Sequence, residues 1–144
     1  MLIDIKPRLD EAGIQELLGY ATFPDPERLK KTVDQYKNNG SKLQGYESEG
    51  EIIGLIGYSL MDNATGDFTI KLEHIAVDPE ERGKGFGRGI ILELLELEKP
   101  NVLLAETDEE AVDFYRSLGF AIASLGEKYP GVERFQCTFF VDEE

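Results

Sequence analysis

The sequence contains one cysteine, one histidine and no tryptophan in 144 residues. Cys137 alone can form neither an internal disulfide nor a cysteine-built zinc site, and His74 alone excludes a multi-histidine metal centre. No metal is therefore expected. Long apolar runs are missing too: none approaches the ~20 residues of a membrane-spanning helix. Met1-Leu2-Ile3-Asp4 does not open a secretory signal, so the expected compartment is the cytoplasm, with no membrane partner. Asn39-Gly40-Ser41 and Asn63-Ala64-Thr65 fit the glycosylation pattern; without secretion they read as turns. Positive charge is the remaining scarcity. Lys and Arg number 15 against 29 Asp and Glu, a net charge of −14. That field repels nucleic-acid phosphates and anionic lipid surfaces. It either attracts cationic ligands or only keeps the protein in solution.

What is present is enough for a core. Hydrophobic residues make up 41% and aromatics 10%, which excludes wholesale disorder. The length fits one domain, residues 1–144, whose folding buries roughly 68–70% of the unfolded surface. Leu2 to Ile5 reads as a short strand. Ile14, Leu17 and Leu18 give helical spacing over Leu9 to Tyr20. Asp25 then caps a helix with Pro26 at its first position, running towards Tyr36. Ser41 to Ser48 and Glu51 to Met61 read as strands joined by a tight turn at Glu49-Gly50. After a turn at 62–66, Asp67 to Val77 is a long strand. Phe86 to Glu98 is an amphipathic helix, and Val102 to Ala105 a buried, parallel strand. Asp108 to Leu118 reads as a helix. Phe120 to Leu125 and Phe135 to Val141 read as a strand pair around a loop from Gly126 to Arg134. The expected fold is one mixed, mostly antiparallel sheet flanked by helices, in the α/β or α+β class.

The segment between the long strand and the third helix is the most informative. Arg82-Gly83-Lys84-Gly85-Phe86-Gly87-Arg88-Gly89 holds four of the 15 glycines. Glycine lets backbone approach a ligand closely, and free N–H groups at a helix start favour an anion. Arg82, Lys84 and Arg88 reverse the local sign of a strongly acidic chain. The competing reading is a glycine-rich connection whose cations only solvate a helix start. G-x-G-x-x-G fails here, because the glycines at 83 and 85 are followed by Arg88, and those at 85 and 87 by Ile90. No G-K-[ST] occurs, so the nucleoside-triphosphate loop fails as well.

What matches is R-x-x-G-x-G, as Arg82, Gly85 and Gly87. This resembles the pyrophosphate-binding signature of the GNAT superfamily of acyl-coenzyme A N-acyltransferases. Leu72-Glu73-His74-Ile75-Ala76-Val77-Asp78-Pro79 looks like that family's fourth strand and its exit. Ala111, Phe114-Tyr115 and Leu118-Gly119-Phe120 look like its last helix and the following strand. The element order is also the family's. The resemblance implies an acetyltransferase domain with acetyl-coenzyme A as co-substrate. Backbone from Arg82 through Gly83, Lys84, Gly85, Phe86 and Gly87 to Arg88 would hold the pyrophosphate, and the strand edge at Ile75, Ala76 and Val77 would pair with pantetheine. The family often has an asparagine touching pantetheine where this chain has Asp108, a good N-cap that cannot donate a hydrogen bond when ionised.

Acetyl transfer to an amine needs a neutral amine, a polarised carbonyl and a stabilised leaving thiolate. A primary amine of pKa ~10.4 is neutral in only roughly a few molecules per ten thousand at pH 7. A carboxylate can take its proton. Glu73, four residues before Val77, matches a glutamate of polyamine-acetylating relatives; its other reading is a surface strand residue, and Glu106 is the reserve base. Tyr115 matches the tyrosine the family places near the coenzyme sulfur. A phenol at ~10 cannot fully protonate a thiolate at ~8.5 without a cost of about 2 kcal/mol, so the expected role is hydrogen-bond donation. Its other reading is packing beside Ala111 and Leu118. His74 should face away from Glu73 and pack, Cys137 reads as core, and the acidic run 106–110 reads as a helix start. Tyr20 to Arg28 and Gly126 to Arg134, with Tyr20, Phe23, Tyr129 and Phe135, either line the acceptor pocket or simply pack. The expected partner is a small-molecule or peptide amine, with net charge favouring a cationic one, and the chain is a monomer or homodimer. The alternative is a non-catalytic acyl-coenzyme A sensor of the same fold.

Overall fold

The computed structural model describes residues 1–22, 25–62 and 66–141. Phe23, the turn at 63–65 and the side chain of Tyr129 lie outside the described residues. Seven strands form one sheet in the order β1-β2-β3-β4-β5-β7-β6. The chain divides into two compact units, Met1–Ser59 with Glu73–Lys99, and Leu60–Leu72 with Pro100–Glu144. The mixed sheet and its helices match the fold class expected of the sequence.

The first unit contains β1 (Leu2–Asp4), α1 (Ala12–Ala21), α2 (Pro26–Asn38), β2 (Lys42–Ser48), most of β3 (Glu51–Asp62), the end of β4 (Phe68–Val77) and α3 (Phe86–Glu98). β1 pairs antiparallel with β2, and β2 with β3. The β2–β3 turn places Glu49 at φ 52° and Gly50 at φ 83°, the left-handed pair that a two-residue hairpin requires. Pro26 opens α2, where the Asp25 carboxylate accepts from the Glu27 amide at 3.0 Å, as expected of that cap. At the other end of α2, Lys6 Nζ donates to the Asn39 and Ser41 carbonyls at 3.0 and 2.6 Å. Asn39 also accepts from the Ser41 amide at 3.0 Å, which makes the first glycosylation-like triplet a turn.

α1 begins three residues later than the expected Leu9. A one-turn 3₁₀ helix at Lys6–Arg8 uses Pro7, and the chain bends before Ala12. Leu9 is nonetheless buried, packed with Ile5, Ile14, Leu17, Leu18, Val33, Tyr36, Leu43, Leu55 and Ala76. Truncating one of these large side chains to alanine should cost about 2–5 kcal/mol. α3 lies close to the sheet because Gly54 has no side chain: a Cβ there would stand 2.8 Å from Ile90 Cδ1 and 2.9 Å from the Ala76 carbonyl.

The second unit contains the start of β4, β5 (Val102–Asp108), α4 (Val112–Ser117), β6 (Ala121–Tyr129) and β7 (Val132–Phe140). β5 runs parallel to β4 through Thr69, Ile70 and Lys71, which face Val102, Leu103 and Leu104. It is three residues longer than expected, because its outer half is held by β7 from Ala105–Cys137 to Asp108–Arg134. α4 therefore starts at Val112, not Asp108, and the acidic run at 106–108 is strand, not helix start. The expected loop from Gly126 to Arg134 is also corrected. It is a hairpin in which β6 and β7 stay paired to Tyr129–Val132, with register shifts after Ser124 and after Glu127 absorbing the irregularity. β7 lies between β5 and β6, so both of its edges are paired. No helix among the described residues is long and apolar enough to cross a membrane.

Candidate functional site

In the first unit, β4 exits into a turn built by its own residues. The Asp78 carboxylate accepts from the Glu80 amide at 2.9 Å, while the Asp78 amide donates to the Ile53 carbonyl at 2.8 Å. Pro79 opens a single 3₁₀ turn. Gly83 and Gly85 follow at φ 82° and 83°, and Gly85 occupies the N-cap position of α3. A Cβ at either would meet nothing within 4 Å, so glycine is required here by backbone conformation, not by crowding. The first amide bond of α3 runs from Gly89 to the Gly85 carbonyl at 3.0 Å. The N–H groups of Phe86, Gly87 and Arg88 are therefore the orphan donors of a 13-residue helix, with its positive dipole end behind them.

The three cations differ in what they do. Arg82 donates through Nε to the Val77 carbonyl at 3.2 Å, and its guanidinium lies 5.6 Å from the centre of the Tyr20 ring. Lys84 pairs with Glu81 at 2.9 Å. Arg88 is exposed on the first turn of α3. Arg82 thus fastens the turn to the end of β4 and to α1, a use of its side chain that the motif alone does not reveal. Phe86 anchors the helix start against Tyr46, ring centres 5.8 Å apart.

On β4, Ile75 and Val77 are half-buried and Ala76 is buried, beyond the last residue, Lys71, that pairs with β5. Glu73 is exposed. His74 does pack, but it also makes a specific bond: Tyr36 Oη lies 2.7 Å from His74 Nδ1, with the rings edge-on at 5.5 Å. Gly57 on β3 makes that bond possible, because a Cβ there would overlap the Tyr36 hydroxyl. Burial lowers the His74 pKa, against the opposing pull of the Glu73 carboxylate, so the imidazole is neutral at pH 7. Burial, assisted by Glu73, pushes the Tyr36 hydroxyl up. Tyr36 and Gly57 were not singled out by motif reasoning. Their only signals are a glycine interrupting an apolar strand and a tyrosine on the buried face of α2.

In the second unit, Glu106 forms an ion pair with Arg134 at 3.4 Å. The Asp108 carboxylate is turned onto its own chain, accepting from the amides of Glu110 and Ala111 at 3.0 and 3.2 Å. Asp108 therefore caps the turn before α4, and the N-cap itself is Ala111. Tyr115 is 5% exposed and stands edge-on to Phe114 and Phe120, each 5.2 Å away. Burial, with Cys137 beside it, pushes its hydroxyl up to about 12. Cys137 is fully buried and its thiol is raised by that burial. Among the described residues no group of three or more His, Cys, Asp or Glu could hold a metal ion.

Comparison with known proteins places this geometry. Residues 11–120 match the family described as "Acetyltransferase (GNAT) family". Glucosamine 6-phosphate N-acetyltransferase of Trypanosoma brucei brucei is 27% identical over 133 residues, covering 83% of this chain and 90% of that protein. N-alpha-acetyltransferase RimI of Mycobacterium tuberculosis is 35% identical over 88 residues, 59% of this chain and 55% of its own length. A GNAT family acetyltransferase from Elizabethkingia anophelis, solved with acetyl-CoA bound, superposes with a TM-score of 0.68 at 17% identity, over 98% of this chain and 97% of its own. This chain belongs to the GNAT family of acyl-coenzyme A-dependent N-acetyltransferases.

Proposed function

We propose that residues 1–144 act as one acetyltransferase domain that moves acetyl from acetyl-coenzyme A to a primary amine by direct attack. The observation that carries this reading is the turn before α3. Two glycines at positive φ precede three orphan helix-start amides, with Arg88 exposed beside them. That donor set fits a pyrophosphate, which is doubly anionic and takes several N–H donors at once. Arg82, by its bond to the Val77 carbonyl, sets where those amides sit relative to β4. Ile75, Ala76 and Val77 offer main-chain groups to the pantetheine amides in the manner of an added strand. Asp108 supports this only indirectly: its carboxylate is already committed to the Glu110 and Ala111 amides.

Acetyl-coenzyme A supplies an activated acyl carbonyl on a thiol leaving group. Glu73, exposed on β4, accepts the amine proton, directly or through water. Glu106 is the reserve candidate, and its carboxylate is paired with Arg134 at 3.4 Å. Tyr115 stays protonated at all working pH values and donates a hydrogen bond to the departing thiolate without surrendering its proton. The acceptor is an amine of small-molecule or peptide origin. Relatives named as a glucosamine 6-phosphate N-acetyltransferase and an N-alpha-acetyltransferase are consistent with that range, and the −14 net charge favours a cationic one. The acidic charge and the absence of long apolar runs fit a cytoplasmic enzyme without nucleic-acid or lipid partners. Thiol release from acetyl-coenzyme A, measured over a panel of polyamines, amino sugars, amino acids and peptides, should rise above background hydrolysis with at least one class. Coenzyme binding with no thiol release from any amine would contradict catalysis.

A further inference from the structure

The turn before α3 has little packing to hold it in shape. A Cβ at Gly83 or Gly85 would meet nothing within 4 Å, and glycine loses more backbone freedom on ordering than any other residue. The turn therefore depends on its tethers. Lys84 bonds to Glu81 within the turn itself, and Phe86 packs on Tyr46 at the helix start. Arg82 ties the middle of the turn to two other elements. Its Nε donates to the Val77 carbonyl at 3.2 Å, at the end of β4, and its guanidinium lies 5.6 Å from the centre of the Tyr20 ring, on α1.

Tyr20 is well placed to be the fixed end of that tether. α1 is anchored in the core by Ile14, Leu17 and Leu18, and Tyr20 stands on its last turn, 43% exposed. The Tyr20 hydroxyl donates to Glu16 Oε1 at 3.1 Å, one turn back on the same helix. A phenol that gives its proton to a carboxylate is polarised, which makes its ring face a better partner for a cation. The choice of partner matters for charge. Asp78, Glu80 and Glu81 precede Arg82 in the same turn, yet among the described residues no carboxylate pairs with Arg82 and nothing bonds its Nη atoms. Lys84, by contrast, is neutralised by Glu81. A ring and a carbonyl hold Arg82 in place without cancelling its charge.

We propose that Tyr20 is a positioning residue for the coenzyme: its ring holds the Arg82 guanidinium, so that the turn is already shaped and still positively charged when the coenzyme phosphates arrive. This rests on the reading of that turn as the coenzyme site. Ordering the glycines before binding removes a cost that binding would otherwise meet. Tyr20 acts through Arg82 and serves the coenzyme, not the acceptor pocket that its place before α2 first suggested.

Calorimetric titration of coenzyme A tests this without an acceptor. Tyr20→Leu removes the ring at a partly exposed position, so the circular dichroism spectrum should be unchanged, and the dissociation constant should rise roughly 3–10-fold. Tyr20→Phe keeps the ring and loses only the bond to Glu16, so it should retain most of the affinity. In an Arg82→Ala background, Tyr20→Leu should have no further effect. In the free protein, the Arg82 ¹⁵Nε–H signal, identified by its disappearance in Arg82→Lys, should exchange with solvent faster once Tyr20 is leucine. In turnover, KM for acetyl-coenzyme A should rise in Tyr20→Leu while KM for the amine holds. Wild-type affinity in Tyr20→Leu, an equal loss with and without Arg82, or an Nε signal indifferent to Tyr20 would each overturn the assignment. A raised KM for the amine with coenzyme affinity intact would overturn it too, and would move Tyr20 to the acceptor pocket. Failure of the coenzyme reading itself shows separately, as no binding of coenzyme A by the wild-type protein, while the Nε signal still reports on the contact between Tyr20 and Arg82.

Discussion

Two strand–turn–helix units can be compared within this chain, and they end differently. After β4, the Asp78–Gly85 turn spends two left-handed glycines to reach α3, and the amides of Phe86, Gly87 and Arg88 stay unclaimed among the described residues. After β5, the turn contains no glycine. The Asp108 carboxylate claims the Glu110 and Ala111 amides, and the helix that follows has six residues. The first unit offers backbone donors and a long dipole to an anion. The second satisfies its own donors and presents a buried side chain, Tyr115, instead. Helix starts become anion sites only where nothing in the chain has already taken their amides.

The comparison can be broken by substitutions on either side. The largest effect is expected at Glu73. Glu73→Gln keeps the size of the side chain and should lower kcat/KM at pH 7 by roughly 100–10,000-fold. The defect should shrink as pH rises towards the amine's own pKa, where the amine deprotonates unaided. A defect independent of pH would make Glu73 a substrate-positioning group and turn attention to Glu106.

Tyr115→Phe keeps the ring edge-on to Phe114 and Phe120 and removes only the hydroxyl. It should lower kcat by roughly 10–1000-fold without changing coenzyme A affinity, and raising the pH should not rescue it. The same residue makes a stability prediction. Its folded pKa of about 12 lies above the ordinary 10.0. The stabilisation from keeping the phenol protonated is complete below about pH 10 and is lost as pH rises to about 12. Thermal melts followed by circular dichroism should show the wild-type protein losing stability over that window, and Tyr115→Phe losing less. Identical alkaline profiles would contradict the burial argument.

The smallest expected effect is at Asp108. Asp108→Ala removes the acceptor for two amides and should cost about 1 kcal/mol of stability, while Asp108→Asn should cost less. Neither should alter coenzyme A affinity if the carboxylate serves only its own turn. A marked loss of affinity in the alanine variant would give Asp108 a direct role with the coenzyme.

The same pair of turns explains what could be read in advance. α3 was legible to the residue, Phe86 to Glu98, because its start is dictated locally by Pro79, Gly83 and Gly85 and its body by an apolar stripe. The cap at Asp25-Pro26 and the Glu49-Gly50 hairpin were legible for the same reason: each is decided by two adjacent residues. The start of α4 was not, because Asp108 can cap a helix or a turn, and its pairing with Arg134, 26 positions away in the chain, decides between them. The 126–134 hairpin was hidden likewise: its glycine and charges resemble a loop until β7 is known to lie between β5 and β6. At the candidate site, the motif pointed to the glycine turn before α3 but not to the fastening of Arg82 to Val77 and Tyr20, nor to the bond between Tyr36 and His74. The contacts of Arg82 with Tyr20 and of Tyr36 with His74 join side chains from elements far apart in sequence, for which spacing carries no signal.

The measurement that bears most directly on the central claim is calorimetric titration of coenzyme A into the wild-type protein and into Gly87→Glu. A glutamate in the first turn of α3 suits the helix dipole and should leave the circular dichroism spectrum intact. It places bulk and negative charge where the pyrophosphate would meet the orphan amides. The account predicts saturable, one-to-one binding by the wild type and none by the variant at the same concentrations. Equal affinity in the two proteins would remove the turn from the coenzyme site.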